Sequence, residues 1–301
     1  MANLLECVPN FSEGRRRETI EALASALHHE GVTLLDVQSD ADHNRSVFTL
    51  IGTKDALVDA VFDAVKCARE LIDLRTHEGA HPRMGATDVV PFIPLLDTDL
   101  QVALEAAQRL AERVANELEI PVYFYEESAT RLERKNLEQI RRKGFEELRD
   151  TMASDPTRAP DLGPSHVHES AGATAIGARR PLIAYNIYLN THDVTIAQEI
   201  AKTIRHSSGG LRYVKAMGFD IPERSCVQVS MNLTNYQKSA IHTVFEMVRE
   251  AAETHGALIT ESEVVGMLPA AALIDAAKHY LRLHNFGIDQ VLEMRLLESE
   301  R

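Results

Sequence analysis

His77 and His81 stand four residues apart in HEGAHPRMG, with Gly79 between them and Pro82, Arg83, Met84 and Gly85 following. Such a pair could do one of three things. Histidines at i and i+4 on a helix can hold zinc, as in H-E-x-x-H proteases. Gly79 and Pro82 work against a helix here, and no carboxylate at ligand spacing accompanies the pair, so no metal is expected. A lone imidazole at a strand entrance can instead act as general acid or base, because its unperturbed pKa near ~6.5 lets it move a proton either way. The glycines would let a ligand approach the backbone. Finally, His81 could simply hydrogen-bond the turn. Residue types alone leave acid–base chemistry and the turn open.

The elements around this stretch must position it. Residues 4–9 form a short apolar run that reads as a strand. Asn10 or Ser12 can cap a helix over 15–29, which carries Ile20, Leu23, Ala24 and Leu27 at helical spacing and ends at Gly31. Strands are expected at Val32–Val37 and Val47–Ile51, separated by the polar turn QSDADHN. An amphipathic helix over 55–73 precedes the histidine loop, and Val89–Ile93 follows as a strand. Helices at 99–118 and 131–149, with a strand at 121–125, extend this unit; Arg141, Arg142 and Lys143 read as a solvated helix end. The stretch 154–172 is rich in proline, glycine and serine, and long loops of this kind are often functional.

The second half repeats the order β-α-β-β-α-β. Strands are read at Leu182–Leu189, Leu211–Phe219 and Cys226–Leu233, and a last one begins at Leu258–Ile259. Helices are read at Val194–Arg205, capped by Asp193, and at Ile241–Ala252. The order matches a ferredoxin-like split βαβ unit. The expectation is an α/β (α+β) protein with subdomains at 1–180 and 181–301.

Composition limits the function classes. The chain has 301 residues, 45% of them hydrophobic, enough for two cores. A net charge of −13 argues against a nucleic-acid or anionic-membrane footprint. Cys7, Cys67 and Cys226 are scattered and odd in number, which fits free thiols in a reducing compartment. The N-terminus lacks a secretory pattern and no window is apolar enough to span a bilayer, so a cytoplasmic protein is expected.

Seven blocks then carry a resemblance over almost the whole chain. They are LLECVPNFSEG (4–14), LLDV (34–37), DHNRSVFTLIG (42–52), LIDLRTHEGAHPRMGATDVVPFIP (71–94), PVYFYEES (121–128), DLGPSHVHESAGATAIGARRPLIAYNI (161–187) and VQVSMNL (227–233). In these blocks the chain resembles the formiminotransferase family, the glutamate formimidoyltransferases. The resemblance implies transfer of a formimino group from N-formimino-L-glutamate to tetrahydrofolate, within histidine degradation and one-carbon metabolism. It implies two ferredoxin-like subdomains whose sheets face each other around a substrate tunnel. It also implies a homodimer, and the stand-alone form without the cyclodeaminase domain of the animal enzyme. Tetrahydrofolate would be a co-substrate.

The family's catalytic histidine falls on His81. An amidine exchange needs a base for the attacking N5 and an acid for the departing glutamate nitrogen, and one histidine can serve as both in turn. The intermediate carries amidinium-like positive charge, so a nearby carboxylate suits it. Asp40 and Asp42 are the candidates, although this turn departs from the animal pattern. Asn44, Arg45 and Arg83 are candidates for the substrate's carboxylates, Arg179 and Arg180 less so. The family's folate-binding loop falls on Gly163, Pro164, Ser165, His166, Val167, His168, Glu169, Ser170, Ala171 and Gly172. Two other readings stand beside this one: formyl transfer between 5-formyltetrahydrofolate and glutamate, and a non-catalytic folate-binding protein.

Overall fold

The computed structural model describes residues 3–79 and 82–299. The chain forms two compact units, Met1–Arg179 and Arg180–Arg301.

The first unit opens with β1 (Leu4–Cys7), β2 (Asn10–Phe11), α1 (Arg17–Ala26), β3 (Val32–Asp40), β4 (Arg45–Thr53), α2 (Lys54–Leu71) and β5 (Thr87–Pro94). It continues with α3 (Leu100–Glu117), β6 (Val122–Glu126), α4 (Leu137–Ile140), α5 (Gly144–Thr151) and β7 (Thr174–Ala178). The expected strand over 4–9 ends at Cys7, and a second short strand, β2, follows Pro9 where only a helix cap is expected; both lie between β4 and β5. With β3 on the outer side of β4, these strands run antiparallel in the ferredoxin-like order. β7 and β6 then extend the sheet in parallel beyond β5.

The sheet's helical cover follows from the sequence. α2 buries Leu57, Val58, Val61, Phe62 and Val65, and α3 buries an alanine-rich face around Leu110 and Val114. Small residues let the two helices pack closely over the strands. Burying each Leu or Val side chain contributes about 1.5–3 kcal/mol. Asp99 caps α3 by accepting from the Gln101 N–H at 2.8 Å.

Several local expectations change. Neither Asn10 nor Ser12 caps α1. Its N-cap is Arg16, without a side-chain cap; the Glu13 carboxylate instead closes the turn ahead of the helix, accepting from the N–H groups of Arg15 and Arg16 at 2.9 and 2.8 Å. The expected helix over 131–149 is broken into a 3-10 turn, α4 and α5. Lys143 and Gly144 take left-handed conformations (φ 65° and 76°), which no continuous helix accommodates. The expectation also left out β7, whose short TAIGA sequence carries a single large apolar side chain, Ile176, among small residues.

The second unit comprises β8 (Ile183–Leu189), α6 (Val194–Ile204), β9 (Val214–Ile221), β10 (Cys226–Leu233), α7 (Ile241–Thr254), β11 (Ile259–Val265), α8 (Ala270–Leu281) and α9 (Leu292–Ser299). Its antiparallel strand order is β11-β8-β10-β9, again ferredoxin-like. Asp193 caps α6 through the Thr195 N–H at 2.9 Å, as its sequence suggests. α8 and α9 lie beyond the repeat read from the sequence.

Candidate active site

The segment after α2 is tied down on both flanks of its histidine pair. His81 itself lies outside the described residues. His77 Nε2 lies 3.0 Å from the Asn44 carbonyl, and its Nδ1 accepts from Arg83 Nε at 3.0 Å. These partners select the tautomer with the proton on Nε2. Burial pushes the imidazole below its ordinary pKa; the Asn44 carbonyl pulls it back up, while the Arg83 cation adds to the lowering. Arg83 is equally committed. Its fork meets both carboxylate oxygens of Glu146, at 2.8 and 3.0 Å, and donates to the His77 carbonyl at 3.0 Å. Gly79 presses against the β3–β4 turn, where an added Cβ would strike the His43 carbonyl and come within 2.9 Å of Asn44 Cβ.

That turn joins the edge strand β3 to β4, with Asp40 and Arg45 as register partners. Asp40 closes it, accepting the N–H groups of Asp42 and His43 at 2.9 and 2.8 Å. Its other oxygen meets His43 Nδ1 at 2.8 Å. The His43 N–H, ahead of the His43 ring and the Asp42 N–H, holds the Asp40 carboxyl below the usual range, so it is ionised at neutral pH. Asp42 is exposed. Asn44 is buried at φ 47°; its side chain accepts from the Gly14 N–H and donates to the Glu78 carbonyl, both at 2.9 Å. It therefore fastens the segment ahead of α1, the turn and the histidine loop at one point. Arg45 is half-buried. Burial disfavours its charged form and Arg141 adds to that, while Asp88 and Asp40 offset it.

The stretch 154–172 is ordered around Asp161. That buried carboxylate pairs with Arg134 at 2.6 Å and accepts the Phe124 N–H at 2.9 Å. Beyond it, His168 and Gly172 exchange backbone hydrogen bonds at 2.9 Å, and the Ala171 N–H donates to His168 Nδ1 at 3.1 Å. The tip is then stitched to the histidine loop: Ala86 N–H to the Ala171 carbonyl and Ala173 N–H to the Met84 carbonyl, both 2.9 Å. Within the tip, Val167, Ala171 and Gly172 are buried, while Gly163, Ser165, His166 and Glu169 are exposed and Pro164 and Ser170 lie between.

Three segments thus converge within the first unit, and Ser12, His43, Asn44, Arg45, His77, Arg83 and Asp88 line one small cleft. Of the residues singled out from sequence, Asn44, Arg45 and Arg83 meet there with the His77–Asp88 loop. The 163–172 stretch joins that loop through backbone. Arg179 lies elsewhere, beside Glu6 and Tyr125. Sequence reasoning passed over Ser12, whose hydroxyl donates to the Gly85 carbonyl at 2.7 Å, and Asp88, 2% exposed. Asp88 accepts the Met84 N–H at 2.8 Å and pairs with Arg141 at 2.7 Å. Arg141 is therefore not part of a solvated helix end; a buried carboxylate draws it inward. A carboxylate heading the apolar run VVPFIP was the available signal for Asp88, since such a group must be paired. Among the described residues, no group of three or more His, Cys, Asp or Glu could hold a metal ion. No helix there is long and apolar enough to cross a membrane.

The cleft brings carboxylate, imidazole and guanidinium side chains together around a backbone held at several points, and ionised Asp40 closes the turn beside it. Guanidinium groups suit an anionic substrate and carboxylates a cationic centre. Comparison with known proteins gives this chemistry a family. The formiminotransferase domain, N-terminal subdomain, matches residues 4–179, and the formiminotransferase domain matches residues 184–297. The glutamate formimidoyltransferase of Streptococcus pyogenes serotype M1 is 47% identical over 99% of this chain and 100% of its own length. That of Thermoplasma acidophilum is 46% identical over 98% of this chain and 97% of its own. The formimidoyltransferase-cyclodeaminase of Gallus gallus is 40% identical over 99% of this chain but only 56% of its own length. Two domain matches and end-to-end likeness lead to one conclusion: this chain belongs to the formiminotransferase family.

Proposed function

We propose that the chain is a glutamate formimidoyltransferase, a transferase that moves the formimino group of N-formimino-L-glutamate to N5 of tetrahydrofolate. The observation that carries this is the 46–47% identity, over nearly the full length of both partners, to two proteins of that name. Tetrahydrofolate acts as co-substrate, and no metal step is required. N5 attacks the formimino carbon, and His81 takes the N5 proton as general base and can return it to the leaving nitrogen. The amidinium-like charge that develops calls for an acceptor. Asp40 and Asp42 are both exposed, but Asp40 is the one ionised and held in place by the N–H groups of the turn, so it supplies the acceptor more readily. Arg45 holds a glutamate carboxylate, with Asn44 keeping the turn in place. Arg83, spent on Glu146 and His77, supports the loop that carries His81. Residues Gly163–Gly172 receive the folate. A cytoplasmic homodimer completes the reading.

Formyl transfer from 5-formyltetrahydrofolate is the main competitor. A formyl group develops negative oxygen and would call for donors where this turn offers a carboxylate. Purified protein given tetrahydrofolate with formiminoglutamate, or 5-formyltetrahydrofolate with glutamate, distinguishes them. Formimino transfer in the first mixture and none in the second is expected. The reverse pattern overturns the assignment, and folate binding without turnover in either mixture indicates a non-catalytic protein.

A further inference from the structure

We propose that Arg141 determines specificity: its guanidinium takes the carboxylate that ends the side chain of formiminoglutamate, while Arg45 takes the one on the α-carbon. The proposal rests on the formimidoyltransferase reading above.

Arg141 lies between α4 and α5, at a junction docked on the histidine loop. The Phe145 N–H donates to the Arg83 carbonyl at 2.8 Å, and the Gly144 N–H closes back on the Arg141 carbonyl at 2.9 Å. The Arg141 side chain turns inward and is 17% exposed, and its Nη1 meets Asp88 Oδ2 at 2.7 Å. Asp88 is divided, since its other oxygen accepts the Met84 N–H at 2.8 Å. Among the described residues no further acceptor meets the Arg141 guanidinium. Most of its N–H donors are therefore unspent in a largely buried setting, and such donors call for an acceptor.

Charge points the same way. Arg141 acts on Arg45 as a like charge, and Asp88, which lines the cleft with Arg45, opposes both. Asp40 also acts on Arg45, but it is exposed and closes its own turn. Arg83 is already matched by Glu146, and Arg15 donates to the Ala41 carbonyl at 2.7 Å. Two guanidinium groups around the buried Asp88 carboxylate favour a second carboxylate, and the planar fork suits it.

The two arginines divide the substrate by position. Arg45 is the register partner of Asp40, the acceptor proposed for the amidinium charge, so it suits the carboxylate nearest the formimino nitrogen. Arg141 is fixed to Asp88 rather than to the turn, and it suits the carboxylate at the other end. An amide there would set N–H groups against a guanidinium that can only donate. A site built around buried donors rejects an analogue that leaves them unpaired.

Kinetics and binding on the full-length protein test this. Arg141→Lys keeps a charge beside Asp88 and loses the fork. Its kcat/KM for formiminoglutamate should fall roughly ten- to hundred-fold, chiefly through KM, with the KM for tetrahydrofolate within about twofold of wild type. With N-formiminoglutamine, whose side chain ends in an amide, the substitution should cost less than about threefold. With N-formimino-4-aminobutyrate, which lacks the carboxylate on the α-carbon, the full loss should persist. The same factor lost with every donor, or a fall in kcat at unchanged KM, makes Arg141 a brace of the loop and overturns the proposal. A loss that persists with the glutamine analogue and vanishes with the aminobutyrate overturns it too. Calorimetric titration of wild type with glutamate and with glutamine needs no variant and no turnover. Glutamate should bind at least about tenfold more tightly. Equal affinity in active wild type overturns this proposal alone, whereas inactive wild type overturns the transferase reading on which it rests.

Discussion

Arg83 Nε donates to His77 Nδ1 at 3.0 Å, and the same guanidinium grips both oxygens of Glu146. This link makes His77 a neutral brace of the loop that carries His81. A folded-state pKa below the unfolded value means that the unfolded chain binds the proton more readily. The native loop is unaffected well above the ordinary value of 6.5 and loses stability as pH falls below it, down through the depressed folded value. Melting temperature measured against pH should therefore drop more steeply below about 6.5 in wild type than in His77→Gln. Parallel curves would show that His77 is not buried as a neutral base acceptor.

Arg83→Lys keeps a cation but loses the two-pronged grip on Glu146 and the donor to His77. A cost of about 1.5–3 kcal/mol is expected, or roughly 3–10 °C in melting temperature for a unit of this size. Calorimetry is the check. An unchanged melting temperature with a large rise in KM for formiminoglutamate would move Arg83 from support to substrate contact.

Arg45 sits half-buried between the charges of Asp40, Asp88 and Arg141. Lysine would keep the charge and lose the planar fork that matches a carboxylate. Arg45→Lys should weaken formiminoglutamate by roughly ten- to hundred-fold and tetrahydrofolate much less. Steady-state kinetics with each substrate varied would show it. Equal losses for both, or a lower melting temperature with unchanged constants, would make Arg45 a brace of the turn.

Gly172 has φ 71°, and a Cβ there would strike the Met84 carbonyl and lie 2.7 Å from Leu74 Cδ1. Gly172→Ala should lift the 168–173 hairpin from the histidine loop. The left-handed conformation alone costs about 1–3 kcal/mol. Tetrahydrofolate binding, followed by titration, should weaken more than formiminoglutamate binding. Equal weakening would place the folate elsewhere.

What the sequence disclosed, and what it hid, divides along physical lines. Strands such as Cys226–Leu233 and helices such as α2 announce themselves through local apolar periodicity. Asp193 as a cap is equally local. The break at Lys143 and Gly144 depends on where the chain must go next, and helical spacing continues misleadingly across it. β7 is stabilised by parallel pairing with β5 and β6, which no pattern within TAIGA records. In the site, the histidine loop and the DHNR turn stood out by residue type. Arg141 did not, because its reason for turning inward is Asp88, 53 residues away. His43 was legible as a histidine but not as a partner of Asp40, since that pairing follows from the geometry of the turn.

The proposed formimino transfer depends on His81 as acid and base. Single-turnover transfer from formiminoglutamate to tetrahydrofolate, followed in wild type and His81→Ala, tests it most directly. Wild type should release one equivalent each of 5-formiminotetrahydrofolate and glutamate. The rate in His81→Ala should be about 10²–10⁴-fold lower, with tetrahydrofolate binding preserved. An undiminished rate in a folded His81→Ala protein would contradict it.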